Sequence, residues 1–494
     1  MRITNNMMRN NSLLHIQRNK VSYNKYFEQY ATEKKIQKPS DDPTIAVRAL
    51  KYRTTMVEIR QYISNCTDAQ NWMDATEEPM KKANEILDTM IEYVTNAAND
   101  PNNADDRAMI AQQLKEYCGF IFEQNANSDY AGRYLFTGYR TDLPLLFDNA
   151  QTDTTYTITE ELEINSIENS SFVYGQPVYG DTKTADDYAN EASEFLTTHR
   201  IMVSYNNCDS QDVTVTYKDV KGESHTITAV TKSIPENSVF NEQYMPGPDE
   251  VYFVPETGEL VFGQNVYDSV RAGSDLSVRY QKTNFEKMDI RPEHYFDCRA
   301  VNNVTGVTRD YANVKGQKIN YQINFSQMLT VNTLGCNAFD TSIGRVVDQI
   351  DGVINDLDIM EQNQIAIKKR IADCDPGDKE TLASLQELYD QIGTQIALQN
   401  TVLTNTYSHA ITVFQKAKNK LNVAVAEHGS RYNRMDMTKN QLEILEIDTD
   451  EAKSENENVD LEEVLVNYTE ADLLYQATLQ ATSKILGTSL LDFI

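Results

Sequence analysis

The chain has 494 residues and a formal net charge of −29 at pH 7, from 45 basic and 74 acidic side chains. A nucleic-acid partner is disfavoured, because binding to phosphate requires a basic surface that displaces counterions. A membrane span is not expected either, since no apolar run approaches the roughly 20 residues of a membrane helix. Hydrophobic residues make up 40% of the chain, enough to bury a core. At roughly 100–200 residues per domain, two to four domains are expected.

The first 140 residues have helical periodicity. The segment Lys-Pro-Ser-Asp-Asp-Pro at 38–43 breaks the first helix, and Asp42 before Pro43 is typical of an N-cap followed by proline at the first helical position. We therefore expect a second helix to begin near Pro43. Before the break, a coiled-coil-like stripe recurs in steps of three and four residues: Leu13, Ile16, Lys20, Tyr23, Phe27 and Tyr30.

The second helix is expected to have an apolar face that includes Met56, Ile59 and Cys66. Pro79 within it marks either a kink or a new start. A turn at 99–102 precedes a third helix, whose apolar face consists of Ile110, Leu114, Tyr117 and Ile121.

The middle of the chain, from about 150 to 335, changes to the period of two that is typical of β-strands. One or two β-rich domains inserted between helical ends is the simplest interpretation. The first four predicted strands form two hairpins, and all six are 213–217, 225–230, 251–254, 260–262, 276–280 and 319–323.

From about residue 340 the pattern is helical again. A turn at 375–378 precedes a long helix that begins near Leu382 and extends as far as Gly429. The acid-rich stretch from Asp448 to Glu457 lacks the spaced ligands and the glycine of a calcium-binding loop. We interpret this stretch as a solvated linker.

The last helical segment has two adjacent apolar stripes. Such a helix is too hydrophobic to remain exposed in water, so we expect it to pack against a partner helix, a neighbouring subunit or both. The first stripe is Leu461, Leu465, Tyr468, Tyr475, Leu479 and Leu486. The second stripe is Val464, Ala471, Leu474, Ala481 and Ile485.

The two ends of the chain have opposite charge. Residues 1–35 contain seven basic and two acidic residues, a net charge of +5. Residues 443–494 contain thirteen acidic and two basic residues, a net charge of −11. Together with the apolar stripes, this complementarity favours pairing of the N- and C-terminal helices. The alternative is that each end folds onto the surface of its own domain.

The sequence contains none of the short motifs that support catalysis or cofactor binding. Zinc-protease, P-loop, dinucleotide-binding and nucleophile-elbow patterns are missing. The six cysteines lie at least 38 residues apart, and no histidine lies at metal-ligand spacing from another. We therefore predict no enzyme activity, no catalytic residue, no metal site and no cofactor. The N-terminus has no apolar region followed by a cleavage site, so no secretory signal peptide is expected.

Four segments resemble those of a known family. Residues 34–43, Lys-Lys-Ile-Gln-Lys-Pro-Ser-Asp-Asp-Pro, follow a Met-Arg-Ile-Thr opening. Residues 129–138 contain Gly-Arg-Tyr-Leu-Phe-Thr-Gly, residues 431–438 read Arg-Tyr-Asn-Arg-Met-Asp-Met-Thr, and 475–494 begin Tyr-Gln-Ala and end Leu-Leu-Asp-Phe-Ile. All are similar to segments of the flagellar hook-associated protein 3 family, flagellin-like proteins of the hook–filament junction. The resemblance covers roughly 1–140 and 425–494.

The resemblance implies a mainly α fold with inserted β structure. In flagellin-like proteins the terminal helices pair as an inner coiled-coil layer called D0, a helical layer called D1 surrounds it, and the central insertion projects outward. By this resemblance, residues 1–38 with 455–494 form the coiled-coil D0. Residues 39–148 with 338–454 form the helical-bundle D1, and residues 149–337 form a β-rich outer insertion.

The resemblance also implies a structural role. It implies an extracellular adaptor at the hook–filament junction that joins hook-associated junction protein 1 to the flagellin filament and associates with itself in a ring. Export would be through the flagellar type III apparatus without a cleaved signal peptide, with a flagellar export chaperone as a further partner. The assembly interface is predicted at apolar stripe positions: Leu13, Ile16, Tyr23, Phe27, Tyr30, Leu465, Tyr468, Tyr475, Leu479 and Leu486.

Two alternatives remain open. A filament-forming flagellin has the same coiled-coil ends, although the Pro-Ser-Asp-Asp-Pro segment and the Leu-Leu-Asp-Phe-Ile ending favour the junction protein. A binding module, for example for glycans, could occupy the Tyr- and Thr-rich strands of residues 150–335. A solvent-facing decorative domain is the simpler interpretation of that insertion.

Overall fold

Helices predominate at both ends of the chain and strands predominate in the centre. This confirms the expected mainly α fold with a β-rich central region. The chain divides into two compact units, the first made of residues 1–69, 321–329 and 433–494 and the second of residues 70–320 and 330–432. Part of the predicted turn at 99–102 lies outside the described residues. The computed structural model describes residues 5–99, 103–175, 177–180, 182–190, 193–234, 241–375 and 377–486.

Five helices are longer than 25 residues within the described part of the chain, and a π-helical turn, Phe120–Ala126, follows the third helix. No helix of the described residues combines the length and the apolarity needed to cross a membrane. The helices are α1 (Asn5–Thr32), α2 (Pro43–Asn99), α3 (Ala104–Gly119), α4 (Ala185–Asn190), α5 (Gln264–Ala272), α6 (Pro292–Tyr295), α7 (Gly335–Ala338), α8 (Ser342–Asp373), α9 (Lys379–Glu457) and α10 (Leu461–Leu486).

The strands lie almost entirely between α3 and α7. They are β1 (Asp129–Tyr130), β2 (Arg133–Tyr134), β3 (Thr154–Leu162), β4 (Glu168–Tyr174), β5 (Glu194–Met202), β6 (Thr214–Lys218), β7 (Ser224–Thr228), β8 (Val230–Thr231), β9 (Val251–Val254), β10 (Glu259–Phe262), β11 (Ser274–Lys282), β12 (Asp297–Asn302), β13 (Thr308–Tyr311), β14 (Asn320–Asn324) and β15 (Gln327–Thr330).

The predicted start of the second helix is confirmed. Asp42 Oδ1 accepts hydrogen bonds from the backbone N–H groups of Thr44 at 2.9 Å and Ile45 at 3.3 Å, which would otherwise have no partner in the first turn. Asp41 accepts the N–H groups of Gln37 and Lys38, and these bonds lower the pKa of Asp41. The two adjacent aspartates therefore fix the corner between α1 and α2 by capping backbone N–H groups.

Two predicted helix boundaries are wrong. Pro79 does not start a new helix, because α2 continues through it to Asn99. The helix loses one backbone hydrogen bond at Pro79, and the buried residues Met80 and Leu87 that follow keep the segment packed. The long helix does not stop at Gly429.

The acid-rich stretch that was interpreted as a linker is helical and forms the end of α9. The reason is visible on its inner face, where Leu442, Thr449 and Glu457 are buried. The acidic residues between them are mostly exposed, so one packed face suffices to hold a strongly charged helix.

One core of the second unit extends from helices to strands. Leu87 of α2, Leu114 of α3, Ile350 of α8 and Phe414 of α9 are buried together with Tyr280 of β11 in one cluster. A core of this extent allows the β-rich region and its helices to fold as one body.

Two sheets form the β-rich region. One has six strands in the order β13-β12-β3-β11-β6-β7, and the other has five in the order β4-β5-β10-β9-β8. Both predicted hairpins are confirmed, with Val215 opposite Ile227 and Leu260 opposite Phe253. The single strand expected at 225–230 is instead divided, because β8 leaves the first sheet and pairs with β9 in parallel.

Eight strands were not predicted, and on two of them polar residues occupy positions that face the interior. On β3, Glu160 is buried, and on β5, Thr198 and Arg200 are buried. The alternation of apolar and polar residues that marks a half-buried strand is therefore interrupted. The strands that were not predicted are β1, β2, β3, β4, β5, β12, β13 and β15.

The buried charges of this region pair with one another. Arg200 Nε donates to Glu168 Oε1 and Nη1 donates to Glu259 Oε1, both at 2.7 Å. His409 Nε2 of α9 lies 3.0 Å from the second oxygen of Glu168. Although burial opposes it, attraction by Arg200 and the hydrogen bond with His409 lower the pKa of Glu168 to about 2. The network holds β4, β5, β10 and α9 together.

Candidate assembly surface on the terminal helices

The terminal helices α1 and α10 lie side by side in the first unit. The ring centroid of Tyr23 lies 5.4 Å from that of Tyr468 and 5.7 Å from that of Tyr475, and Tyr30 stacks on Tyr468 at 6.0 Å. The Tyr23 and Tyr468 hydroxyl oxygens are 3.3 Å apart, and this hydrogen bond raises the pKa of Tyr468. Aromatic side chains therefore join the two ends of the chain.

The face of α10 that meets α1 combines the two predicted stripes. Val464 and Ala471 are buried, and Tyr468 and Tyr475 are half-buried. These positions follow in steps of four, three and four, which is the seam of two helices that wind around each other. Each predicted stripe runs along one edge of this seam.

A polar residue sits within the seam on α1. Asn19 Nδ2 donates to Thr478 Oγ1 at 2.6 Å and to the Leu474 carbonyl oxygen at 3.4 Å. A polar group at one position of a helix seam penalises other registers, because a shift of the helices would leave the group unpaired. Asn19 therefore fixes how α1 and α10 align.

Many other apolar side chains of α1 and α10 point into solvent. Leu13, Phe27, Leu465 and Leu479 are each between 41% and 48% exposed. Pairing of α1 with α10 therefore buries apolar side chains on only one side of each helix, and those on the other sides remain exposed. We call nine of these exposed residues the terminal apolar surface: Leu13, Leu14, Val21, Phe27, Leu461, Leu465, Val466, Leu473 and Leu479.

The predicted interface residues separate into groups. Four tyrosines meet between the helices: Tyr23, Tyr30, Tyr468 and Tyr475. Ile16 is half-buried. Four residues belong to the terminal apolar surface: Leu13, Phe27, Leu465 and Leu479. The side chain of Leu486 lies outside the described residues, as does the ending from residue 487 onward.

Charge acts at the base of the helix pair rather than along it. No ion pair joins α1 to α10 in the part of the chain that the structure describes. At the base, Arg53 makes two 2.8 Å hydrogen bonds to the carboxylate of Glu457, and Lys34 Nζ lies 3.5 Å from the same group. The hydrogen bonds from Arg53 lower the pKa of Glu457.

The backbone reinforces this contact. Lys35 N–H donates to the Glu457 carbonyl oxygen at 2.8 Å, and Val459 N–H donates to the Glu33 carbonyl oxygen at 3.1 Å. Sequence reasoning missed the contact, because Glu457 fell in the stretch interpreted as a linker. Because the contact is between charged groups, no periodic pattern of apolar residues indicates it. The only signal in the sequence is the opposite net charge of the two ends of the chain.

One group of side chains in the described residues has the spacing to hold a metal ion. It consists of Asp219, Glu223 and His225 at the turn between β6 and β7. Asp219 Oδ1 already accepts the N–H groups of Lys221 and Glu223, which closes the turn. Asp219 therefore has a structural use in the turn without an ion.

Known proteins are similar to the N-terminal part of this chain. Residues 3–141 match the model of the bacterial flagellin N-terminal helical region. The flagellar hook-associated protein 3 of Salmonella typhimurium is 29% identical over 142 residues, and that of Escherichia coli is 28% identical over 142 residues. Each match covers 29% of this chain and 45% of the relative, so the chain spans about half the length of the curated relatives that it matches.

A solved structure of a flagellar hook-associated protein from Vibrio parahaemolyticus is a more distant likeness. It is 13% identical, with a TM-score of 0.35, over 85% of this chain and 100% of that chain.

Residues 3–141 are thus similar to the N-terminal helical region of bacterial flagellins. The resemblance to flagellar hook-associated protein 3, which the four sequence segments predicted, is confirmed by the curated relatives.

Proposed function

We propose that this chain is a non-enzymatic structural component of the bacterial flagellum that acts as an adaptor at the hook–filament junction. It would join hook-associated junction protein 1 to the flagellin filament. The observation that carries the proposal is the terminal apolar surface, which the chain leaves uncovered on its own α1 and α10. The names of the curated relatives support the same placement.

The energetics favour assembly through this surface. Full burial of a leucine side chain stabilises by about 1.5–3 kcal/mol, so covering the half-exposed Leu13, Leu465 and Leu479 adds on the order of 1 kcal/mol each. Several such residues on two helices give a favourable contribution of the same order as the cost of association. We infer that the ten predicted interface residues serve this assembly, the tyrosines by fixing the helix pair and the leucines by contacting neighbours.

The layered arrangement is part of the proposal. Residues 1–38 with 455–494 would form the coiled-coil D0, residues 39–148 with 338–454 the helical-bundle D1, and residues 149–337 the outer insertion. Support comes from the contacts of α1 with α10 and from the position of the strands between the helical ends.

Partners and location follow from the same proposal. The chain would be extracellular at the junction, would associate with itself in a ring and would be exported without a cleaved signal peptide. An export chaperone would cover the apolar ends before assembly, because an uncovered apolar surface of this size promotes aggregation. No cofactor is needed for such a role.

The test is a single charge placed on the terminal apolar surface. Leu479→Asp should abolish filament growth while the monomer remains folded, because the side chain is half-exposed in the monomer and would be buried in the assembly. Motility and electron microscopy of cells carrying the variant measure the effect. A matched control is Gln480→Asp, since residue 480 is exposed and polar.

Normal filaments in the Leu479→Asp strain would contradict the proposal. A gold-labelled antibody separates the alternatives: a single band at the end of the hook supports the junction adaptor, whereas label along the filament supports a flagellin. A deletion strain that secretes flagellin from bare hooks would support the adaptor independently.

A further inference from the structure

We propose that the second unit contains a binding site for a small acidic saccharide, in a polar pocket between α9 and residues 315–337. The residues that line this pocket lie outside the two large sheets and outside the terminal apolar surface. The pocket has a volume of about 520 Å³. Sites for small molecules typically have volumes of about 300–1,000 Å³, so the pocket is large enough for one or two sugar units.

Positive charge is concentrated in the lining of the pocket, although the whole chain has a net charge of −29. Within the described lining, one residue is acidic, Glu427. Four residues are basic: Lys315, Lys318, Lys420 and Arg431. A cleft lined by charges of one sign attracts a ligand of the opposite sign, whatever the net charge of the protein. The pocket is therefore suited to an anion.

Two of these cations already have carboxylate partners. Lys315 Nζ lies 2.8 Å from Glu161 Oε2, and Lys420 Nζ lies 3.0 Å from Asp340 Oδ2. Lys318 is exposed, and its Nζ has neither a hydrogen-bond partner nor an ion-pair partner within the described ranges. Lys318 is therefore free to bind an anion.

Arg431 is a half-buried cation whose hydrogen bonds all go to uncharged groups. Its Nη1 donates to the carbonyl oxygens of Asn332 at 2.8 Å and Thr330 at 3.4 Å. Its Nη2 donates to Thr333 Oγ1 at 3.0 Å, and its Nε donates to the backbone carbonyl oxygen of Glu427 at 3.3 Å. Burial lowers the pKa of Arg431, and the charge of Glu427 opposes this shift only in part. A bound anion would offset the cost of holding this cation away from water.

The free polar side-chain groups of the pocket are mainly hydrogen-bond donors. Gln317 Oε1 accepts the N–H of Tyr139 at 2.8 Å, so Nε2 of the same amide is left as a free donor. Asn337 is exposed, and its Nδ2 has no partner in the part of the chain that the structure describes. Lys318 Nζ and one remaining N–H of Arg431 Nη2 are further donors. A ligand rich in acceptor oxygens therefore fits the pocket.

A sugar that carries a carboxylate meets these requirements better than a simple anion does, because a simple anion would fill only a small part of the pocket. Its carboxylate would bind Lys318 and Arg431, and its hydroxyl oxygens would accept from the side-chain amides. The ring of Tyr139 is 62% exposed and adjoins the pocket, since its hydroxyl oxygen accepts the Lys318 N–H at 3.1 Å. The ring offers an apolar surface for the C–H groups of a sugar.

The wall of the pocket is held in place before any ligand binds. Asn332 is buried, its Oδ1 accepts the Ile319 N–H at 2.8 Å, and its Nδ2 donates to the Gln317 carbonyl oxygen at 3.1 Å. These bonds fix the backbone on both sides of Lys318. A preformed site loses less conformational entropy when a ligand binds.

Isothermal titration calorimetry of the purified full chain tests the site. The acidic probes are galacturonate, digalacturonate and N-acetylneuraminate, and the controls are neutral galactobiose, inorganic phosphate and triglutamate. At least one acidic sugar should bind at one site per chain, at least tenfold more tightly than every control. No binding by any acidic sugar, or a preference below tenfold over any control, would overturn the inference.

Two substitutions test whether the sugar binds in this pocket. Lys318→Glu reverses a free charge, and Asn337→Asp replaces a donor by a carboxylate oxygen, so each should weaken binding at least tenfold. Both residues are exposed, so the fold should be retained, which circular dichroism checks. Lys369→Glu makes the same charge change at an exposed position of α8 outside the pocket and should leave the affinity within twofold of wild type. Unchanged affinity in either pocket variant would refute the site.

The inference goes beyond the proposed function and does not rest on it. Binding is measured on the purified chain, whether or not the chain assembles at the junction. If an acidic sugar binds and the chain is absent from the junction, only the proposed function fails. If the chain is present there and no acidic sugar binds, only this inference fails.

Discussion

The β-rich second unit and the terminal helices differ in how far they bury their apolar side chains. In the second unit, apolar side chains such as Tyr280 and Phe414 are buried and the inward charges of Glu168, Arg200 and Glu259 pair with one another. On α1 and α10, leucines that could be buried remain exposed. Apolar side chains that are buried in the monomer need no partner. Where they remain exposed, as on α1 and α10, we expect assembly with another molecule.

The largest expected effect on stability comes from shortening one side chain to alanine in each of the two regions. Phe414→Ala removes a fully buried ring and should lower the free energy of unfolding by about 3–5 kcal/mol. Leu465→Ala, at a half-exposed position of α10, should change it by less than about 1 kcal/mol in the monomer. Urea unfolding of the purified chain measures both. Equal effects would remove the distinction drawn between the two regions.

The buried charges offer a test of similar size. Arg200→Leu leaves Glu168 and Glu259 without their cation and should cost about 3–5 kcal/mol of unfolding free energy. Arg299→Leu is the control, because Arg299 is exposed and its 3.0 Å ion pair with Asp310 contributes at most about 1 kcal/mol. Thermal unfolding followed by circular dichroism compares the two variants. A shift no larger for Arg200→Leu would show that the buried network is dispensable.

A third test uses pH. Burial, together with repulsion from Arg140 and Arg291, lowers the pKa of His294 from 6.5 to about 4. Between these pH values the unfolded chain binds a proton that the folded chain does not, so stability falls as pH decreases from about 6.5 to about 4. The full effect is on the order of 3 kcal/mol.

His294→Leu should remove this part of the pH dependence. Denaturant unfolding of both proteins at pH 7 and pH 4.5 measures it, and the loss on acidification should be smaller in the variant by about 2 kcal/mol. Replacement of exposed His15 by leucine serves as the control. An unchanged loss on acidification would mean that His294 has the same pKa in the folded and unfolded chains.

The smallest expected effect lies at the start of α2. Asp42→Ala removes the acceptor for the N–H groups of Thr44 and Ile45 and should destabilise by about 1 kcal/mol. Asp42→Asn keeps an acceptor oxygen and should retain most of the stability. Differential scanning calorimetry resolves the two, and equal losses would assign the effect to charge rather than to capping.

The sequence predicts helices, caps and hairpins well where a short local pattern determines the structure. The N-cap at Asp42, the apolar face of Leu114 on α3 and the two hairpins all follow from short patterns, and all are present in the structure. The four segments predicted the resemblance to flagellar hook-associated protein 3 because they are short, specific and ordered along the chain.

The sequence predicts the burial and pairing of a segment poorly where residues far away along the chain determine them. The buried Arg200 makes β5 look like a surface segment, because its partners Glu168 and Glu259 are far from it along the chain. The seam of α10 lies between its two apolar stripes, and only the position of α1 selects Val464 and Ala471 from one and Tyr468 from the other. Glu457 looks like part of a solvated linker until Arg53 is placed beside it.

The contact at the base of the terminal helices can form only late in synthesis of the chain. Lys34 and Asn458, which are hydrogen-bonded, are separated by 424 residues of chain. At a synthesis rate of about 5–20 residues per second, α1 exists for roughly 20 to 90 s before the partner of Lys34 has been made. During that interval Tyr23 and Phe27 have no α10 to contact. The N-terminal helix is therefore the segment of this chain that spends the longest time awaiting its partner.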